Sequence, residues 1–301
     1  MHDKTIPFSL ALEQRRNLAA LAQTSVASAI QIARRKPADN RDVWINDEIE
    51  APRTVLVDNY QSWVGMPASQ RQPGIVPPHM FSQWSVPLAL RVLIQSGFST
   101  AGIVNMGCDI KVNGTIHTGE RMLLSGELVE VSENDQRTTL TARVITRTRR
   151  HDRAVDALFH SMLPKQPAAE PGPERAGQES RWETAGAWAV DEHDGLRFAL
   201  LTGDFNPVHW ADAVARHSLF GQKVLHGFAS LSLCWAALQQ READGSSINR
   251  ISARFVRPVP LPSSAMYVFR SGLRPSGARR YLLKNGSHQT FLMGDYSAGK
   301  T

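Results

Sequence analysis

Cysteine is scarce: Cys108 and Cys234 are the only two in 301 residues. Neither belongs to a CxxC pair or a Cys/His ligand spacing, so a disulfide framework and a zinc ribbon are both excluded, and a reducing, cytoplasmic setting is expected. The ten histidines contain no HxH or HExxH spacing, so a metal site is not expected. Long hydrophobic runs are also missing. The best one, Ser230 to Leu238, holds two serines and falls short of the roughly 18 apolar residues of a membrane span. No charge sign dominates either half. Residues 1–150 hold 17 Lys+Arg against 14 Asp+Glu, residues 151–301 hold the same numbers, and the net +6 divides evenly. The densest basic cluster, Arg143 to Arg153, alternates with apolar residues as the wet face of a strand would. It lacks the interleaved aromatics of a nucleic-acid surface, so nucleic acid is not an expected partner. At the N-terminus, Asp3 and Glu13 break the acid-poor rule of a transit peptide, and Leu10 to Arg35 reads as a plain helix.

What is present is ordinary globular composition, 42% hydrophobic and 21% charged, in a length that fits two domains at about 150 residues each. Pro164 to Gly177 is rich in Pro, Gly and Glu and reads as a linker. On each side of it the same order of elements recurs. Pro77-Pro78-His79-Met80 leads into a helix from Ser82 or Pro87 to Gln95, closed by Gly97, and Val224-Leu225-His226-Gly227 leads into Phe228 to Glu242, closed near Gly245. Four strand-like runs follow each helix: Ile103–Val112, Arg121–Val131, Thr138–Thr148 and Ala157–Leu163, then Asn249–Val256, Ala265–Leu273, Arg279–Lys284 and Thr290–Tyr296. A slide of 144 positions sets Val112 on Val256, which implies an internal duplication. The expected class is α+β: two curved antiparallel sheets, each wrapped round a helix and joined edge to edge. The expected division is a helical extension at 1–50, a first repeat at 51–163, the linker at 164–181 and a second repeat at 182–301.

The chemistry concentrates in Arg197 to His209. Leu196, Ala199 and Leu200 are spaced for a helix that Gly203 would stop as a left-handed cap; Asn206 then caps a new helix with Pro207 at its first position. His209 is thereby expected in the first turn of that helix and Asp204 in the link between the two. A carboxylate and an imidazole on rigid supports can share one water molecule.

The string Phe198, Thr202-Gly203-Asp204, Asn206-Pro207-Val208-His209 and Ala215 resembles the hydratase 2 signature of the MaoC-like hot-dog family. Phe220-Gly221-Gln222-Lys223-Val224-Leu225-His226-Gly227-Phe228 resembles the family's loop into its central helix, and Arg254-Phe255-Val256-Arg257-Pro258-Val259 its following strand. The first half is similar to the divergent repeat of two-repeat, double hot-dog members. The resemblance implies reversible addition of water to a trans-2-enoyl thioester, giving the (R)-3-hydroxyacyl thioester, with no cofactor. Asp204 and His209 would activate the water, while the Gly227 backbone N–H, at a helix N-terminus, would hold the developing enolate.

Gly203, Asn206, Pro207 and His226 are expected to support the dyad, Asn206 by capping and His226 by fixing the loop. Phe205, Lys223, Val224 and Arg257 are the expected substrate contacts, the two basic ones suited to adenosine phosphates or an acidic carrier surface. Leu231, Leu233, Cys234 and Leu238 read as helix core or acyl-tunnel lining. Near the first-repeat counterpart of the dyad stands Val57-Asp58-Asn59-Tyr60-Gln61-Ser62-Trp63, with Trp63 five positions after Asp58, and Met80 replaces the glycine after His79. That half is expected to shape the acyl tunnel through Pro87 to Gln95. The expected partner is an acyl-CoA or acyl-carrier-protein thioester, bound by a monomer or homodimer. Acyl-thioester hydrolysis and non-catalytic thioester binding are the alternatives.

Overall fold

The computed structural model describes residues 5–15, 42–100, 102–165, 181–243 and 245–300. Most of the expected linker and of the helix read from Leu10 to Arg35 lies outside these; the start of the latter falls in a 3-10 helix, Phe8–Gln14. Ten strands form one antiparallel sheet: β1 (Trp44–Glu50), β2 (Val104–Val112), β3 (Arg121–Glu133), β4 (Arg137–Arg147), β5 (Val155–Pro164), β6 (Trp182–Val190), β7 (Ser246–Phe255), β8 (Ser263–Ser271), β9 (Arg279–Asn285) and β10 (Thr290–Lys300). Their spatial order is β1-β3-β4-β5-β2-β7-β10-β9-β8-β6. Each half repeats one topology, and the halves meet where β2 pairs with β7, Ile110 opposite Ile251. The fold is a double hot-dog with an open sheet whose edges are β1 and β6.

Three elements depart from the sequence expectation. Residues 44–50 form β1, the edge strand on the first repeat's side of the sheet, rather than part of a helical extension; Ile45 and Ile49 are the strand's only aliphatic side chains, and Asn46, Glu48 and Glu50 face out along the edge. The other two are β6 and α1 (Thr54–Trp63). Val55, Val57, Tyr60 and Trp63 give α1 a strand-like composition, but Leu56, Val57, Tyr60 and Trp63 recur at helical spacing and all are buried.

The two central helices, α2 (Ser82–Gln95) and α5 (Gly227–Gln239), lie on the inner face of the sheet; α5 ends three residues before the expected Glu242. The remaining helices are α3 (Asp194–Thr202) and the short α4 (Asp212–Arg216). α5 is apolar on every side and buried along nearly its whole length, as a helix enclosed by two repeats must be. Phe81 and Phe159 of the first repeat pack against Phe228 of the second at centroid distances of 5.6 and 5.8 Å. Polar contacts also cross this boundary. The Tyr60 hydroxyl lies 2.8 Å from the His79 carbonyl and 2.7 Å from Ser232 Oγ, and Trp63 Nε1 donates to the fully buried Asp194 at 2.9 Å. The basic cluster at the end of β4 is engaged locally: Arg143 forms a two-pronged pair with Asp156, and Arg147 donates to Ser125.

Burial holds the His79 imidazole neutral, its pKa pushed down to about 3, and His226 is pushed down to about 3 as well, first by burial and then by the neighbouring His209. In the unfolded chain both return to about 6.5. The unfolded state therefore binds more protons between those values, so the stability from keeping these rings neutral is complete above about pH 6.5 and lost as pH falls. Each ring is expected to cost up to about 1.4 kcal/mol per pH unit below that point. Urea denaturation between pH 7 and pH 5 measures the slope, which His79→Asn should flatten.

Candidate active site

The sequence builds the site from local backbone chemistry. α3 stops at Gly203, which adopts φ +80° and returns its N–H to Ala199 O at 2.7 Å, a left-handed cap. The chain turns through Asp204 and Phe205, and the Asn206 side chain accepts the Val208 N–H at 3.3 Å to cap a 3-10 turn, Pro207–His209. His209 thus closes a single turn rather than opening an α-helix. Trp210 leaves helical geometry at φ −141°, Ala211 is non-helical, and the helix resumes only at Asp212.

His209 Nδ1 lies 2.7 Å from the Val224 carbonyl, which can only accept, so Nδ1 carries the proton and the neutral ring presents an Nε2 lone pair. Burial lowers the His209 pKa, while the Asp204 carboxylate pulls the other way. The buried His226 ring stacks on His209 at 3.6 Å between centroids and sits 4.9 Å from Phe198. Its Nε2 donates to the Asp204 carbonyl at 3.0 Å and lies 4.0 Å from the Asp204 carboxylate. His226 therefore ties the Asp204 turn to the His209 ring.

Gly227 starts α5 immediately after His226, and no side chain caps that end, which leaves its first N–H groups available. A Cβ on Gly227 would lie 2.9 Å from the Phe255 ring, so the absence of a side chain permits the close packing there. These residues line a cavity of about 960 Å³ that runs across both repeats. Asp204, Asn206, His209, Val224, His226, Gly227 and Arg257 contribute from the second, and Val86, Ala89, Leu90 and Leu93 form one stripe of α2 from the first.

Residues 174–271 match the family model of the MaoC-like domain. The second repeat is a MaoC-like domain. Among solved structures, the chain is similar to HtdX of Mycobacterium tuberculosis, at 17% identity and TM-score 0.67 over 85% of this chain and 100% of that one. It is similar to a MaoC-like dehydratase from Phytophthora capsici at 12% identity and TM-score 0.69, covering 88% and 97% of the two chains. A Mycobacterium tuberculosis protein described as having a double hotdog fold aligns at 14% identity and TM-score 0.60, covering 86% and 96%. At these identities the likeness is one of fold. No curated protein matches the chain in a sequence search.

The MaoC-like repeat brings together most of the residues singled out in its sequence, with two exceptions. Lys223 is nearly buried, its ammonium 3.3 Å from Asp212 and 3.9 Å from Glu192, and does not line the cavity. Phe205 does not line it either; its carbonyl accepts the Trp210 indole N–H at 3.2 Å. Arg257 does line it, with one guanidinium nitrogen donating to Thr290 O at 2.9 Å. On α5, Ser230 faces the cavity, whereas Leu231, Leu233, Cys234 and Leu238 are buried core.

The first-repeat counterpart of the dyad also needs correction. Trp44 and Trp182 open equivalent strands 138 positions apart, and Gly65 and Gly203, also 138 apart, both adopt positive φ after the following helix. Met66, not Asp58, therefore corresponds to Asp204, and Asp58 lies exposed on α1. One residue escaped the sequence reading altogether. A Cβ on Gly195 would sit 1.9 Å from the His209 carbonyl oxygen, so the start of α3 can support the His209 turn only as glycine.

Proposed function

We propose that this protein reversibly hydrates trans-2-enoyl thioesters to (R)-3-hydroxyacyl thioesters, or runs the reverse dehydration, without a cofactor. The observation that carries the reading is the joint exposure of the Asp204 carboxylate, the His209 ring and the uncapped Gly227 helix terminus to one cavity. In this mechanism Asp204 and His209 hold one water. The dyad takes a proton as the water oxygen attacks C3, and a proton is delivered to C2 on the same face; such general acid–base catalysis contributes roughly 10²- to 10⁴-fold. Negative charge that builds on the thioester oxygen is met by the Gly227 N–H with the α5 dipole behind it. Stereochemistry follows the family resemblance.

The acyl group extends along the α2 stripe of the first repeat, which supplies apolar wall and no dyad. CoA or a carrier protein would deliver it, and Arg257, which lines the cavity, would meet the carrier arm. The test is a panel of enoyl-CoA substrates of increasing chain length, repeated on carrier protein, following loss of the conjugated enoyl thioester; absence of turnover across both sets would refute the assignment. Ala89 is buried on the stripe, so Ala89→Phe should lower kcat/KM for long chains at least roughly 10-fold relative to four-carbon chains, since overpacking costs about 1–3 kcal/mol. Equal effects at every length would remove α2 from the acyl path.

A further inference from the structure

β2 opens with a bulge between Asn105 and Gly107 in its pairing with β5. The bulge glycine adopts φ +151°, and a Cβ there would lie 1.9 Å from the Ala253 carbonyl, so the backbone path is tightly specified. Its N–H donates to Asn105 Oδ1 at 3.1 Å. That contact decides which end of the amide is engaged: Oδ1 is occupied by the bulge, and the two N–H donors of Nδ2 are turned away from it. Directly across the ladder from Asn105 is Ser161, so the two side chains share a face of the sheet. Both line the cavity, along with Phe159 and the α2 stripe. Neither Asn105 Nδ2 nor Ser161 Oγ makes a hydrogen bond among the described residues. Asn105 is exposed at the cavity and Ser161 half-buried, and this pair of donors beside Phe159 and the α2 stripe matches an acceptor oxygen on a ligand lying against those apolar side chains.

We infer that Asn105 and Ser161 form a second polar contact point in the cavity, taking a carbonyl or hydroxyl oxygen of the thioester that lies away from the reacting carbons. The inference rests on the thioester reading above. The oxygen belongs either to an oxygenated acyl group or to an amide carbonyl of the pantetheine arm, and the two sources separate experimentally.

Calorimetric titration of the full chain with saturated, unreactive thioesters avoids any dependence on turnover. The ligands are plain and ω-hydroxylated acyl groups, each on CoA and on thiocholine, which has no amide. Asn105→Asp keeps the oxygen that the Gly107 N–H needs while removing the donors, and Ser161→Ala removes the hydroxyl. If the acyl group carries the oxygen, both variants lose affinity for hydroxylated over plain ligands by roughly 5- to 10-fold on either handle, the size of a hydrogen bond. If pantetheine carries it, both weaken every CoA ligand by that factor and leave the thiocholine ligands unchanged. Unchanged binding throughout, or an equal loss for all ligands on both handles, overturns the contact point. Wild-type protein that binds no thioester at all overturns the thioester reading and this inference together, a result distinct from all the others.

Discussion

Asp204→Asn and His209→Ala should each lower kcat/KM for an enoyl thioester by at least about 100-fold, as loss of a general acid–base group does. The carboxamide keeps the size of Asp204 and the oxygen that the Asn206 N–H approaches at 3.4 Å, so the turn is retained while the charge is lost. His209→Ala removes both the Nε2 lone pair and the Nδ1 contact to Val224. The pH profile gives a second check. Burial sets the His209 pKa below its ordinary value of about 6.5, so the wild-type ring remains a competent base as pH falls below that point. The acid limb of kcat/KM should accordingly fall below pH 6.5, and in His209→Ala it should disappear along with the rate. A variant at either position that retains near wild-type turnover would show that the pair is not the acid–base machinery.

The second large effect is expected at a residue outside the cavity. In Gly195→Ala the new methyl meets the His209 carbonyl oxygen at 1.9 Å and the carbonyl carbon at 2.8 Å, both backbone atoms that a rotamer change cannot relieve. Either α3 or the His209 turn must move by about an ångström, and a misplacement of that size costs about 100-fold in rate. Stability should fall by about 1–3 kcal/mol through overpacking. The loss should appear in kcat more than in KM, because Gly195 lies outside the wall that holds the substrate. Circular dichroism and a denaturation curve establish that the variant is folded. A folded Gly195→Ala enzyme with unaltered kcat would mean that His209 does not depend on this support.

The parts of the site that could be read in the sequence are those made by neighbouring residues. Gly203 as a left-handed cap and Asn206-Pro207 as a start signal are local chemistry, and they locate Asp204 and His209 without reference to the rest of the fold. The strands after each central helix were legible for a similar reason, since apolar alternation reports a half-buried sheet directly. What could not be read depends on contacts far apart in the chain. Gly195 looks like any helix residue until the His209 carbonyl is seen against it. Lys223 looks like a free cation until Asp212 and Glu192 are seen around it, and α1 looks like a strand until Leu56, Val57, Tyr60 and Trp63 are buried together. The offset between the repeats is not uniform along the chain. The strands joined at the seam support a displacement near 144, while the opening strands and the turns after α1 and α3 lie 138 apart, so a segment around Asp58 stands near the dyad's counterpart only under the larger displacement, and the position itself belongs to Met66.

In the proposed reaction, water adds to the acyl carbon chain at this dyad and leaves the thioester intact. Incubation of a trans-2-enoyl-CoA with the enzyme in H₂¹⁸O, followed by mass spectrometry and chiral analysis, tests it directly. The expected product is an intact (R)-3-hydroxyacyl-CoA carrying ¹⁸O on C3, with no free thiol released and label incorporated at least about 100-fold more slowly by Asp204→Asn. Label in a free carboxylate, with CoA thiol released in equal amount, would contradict it.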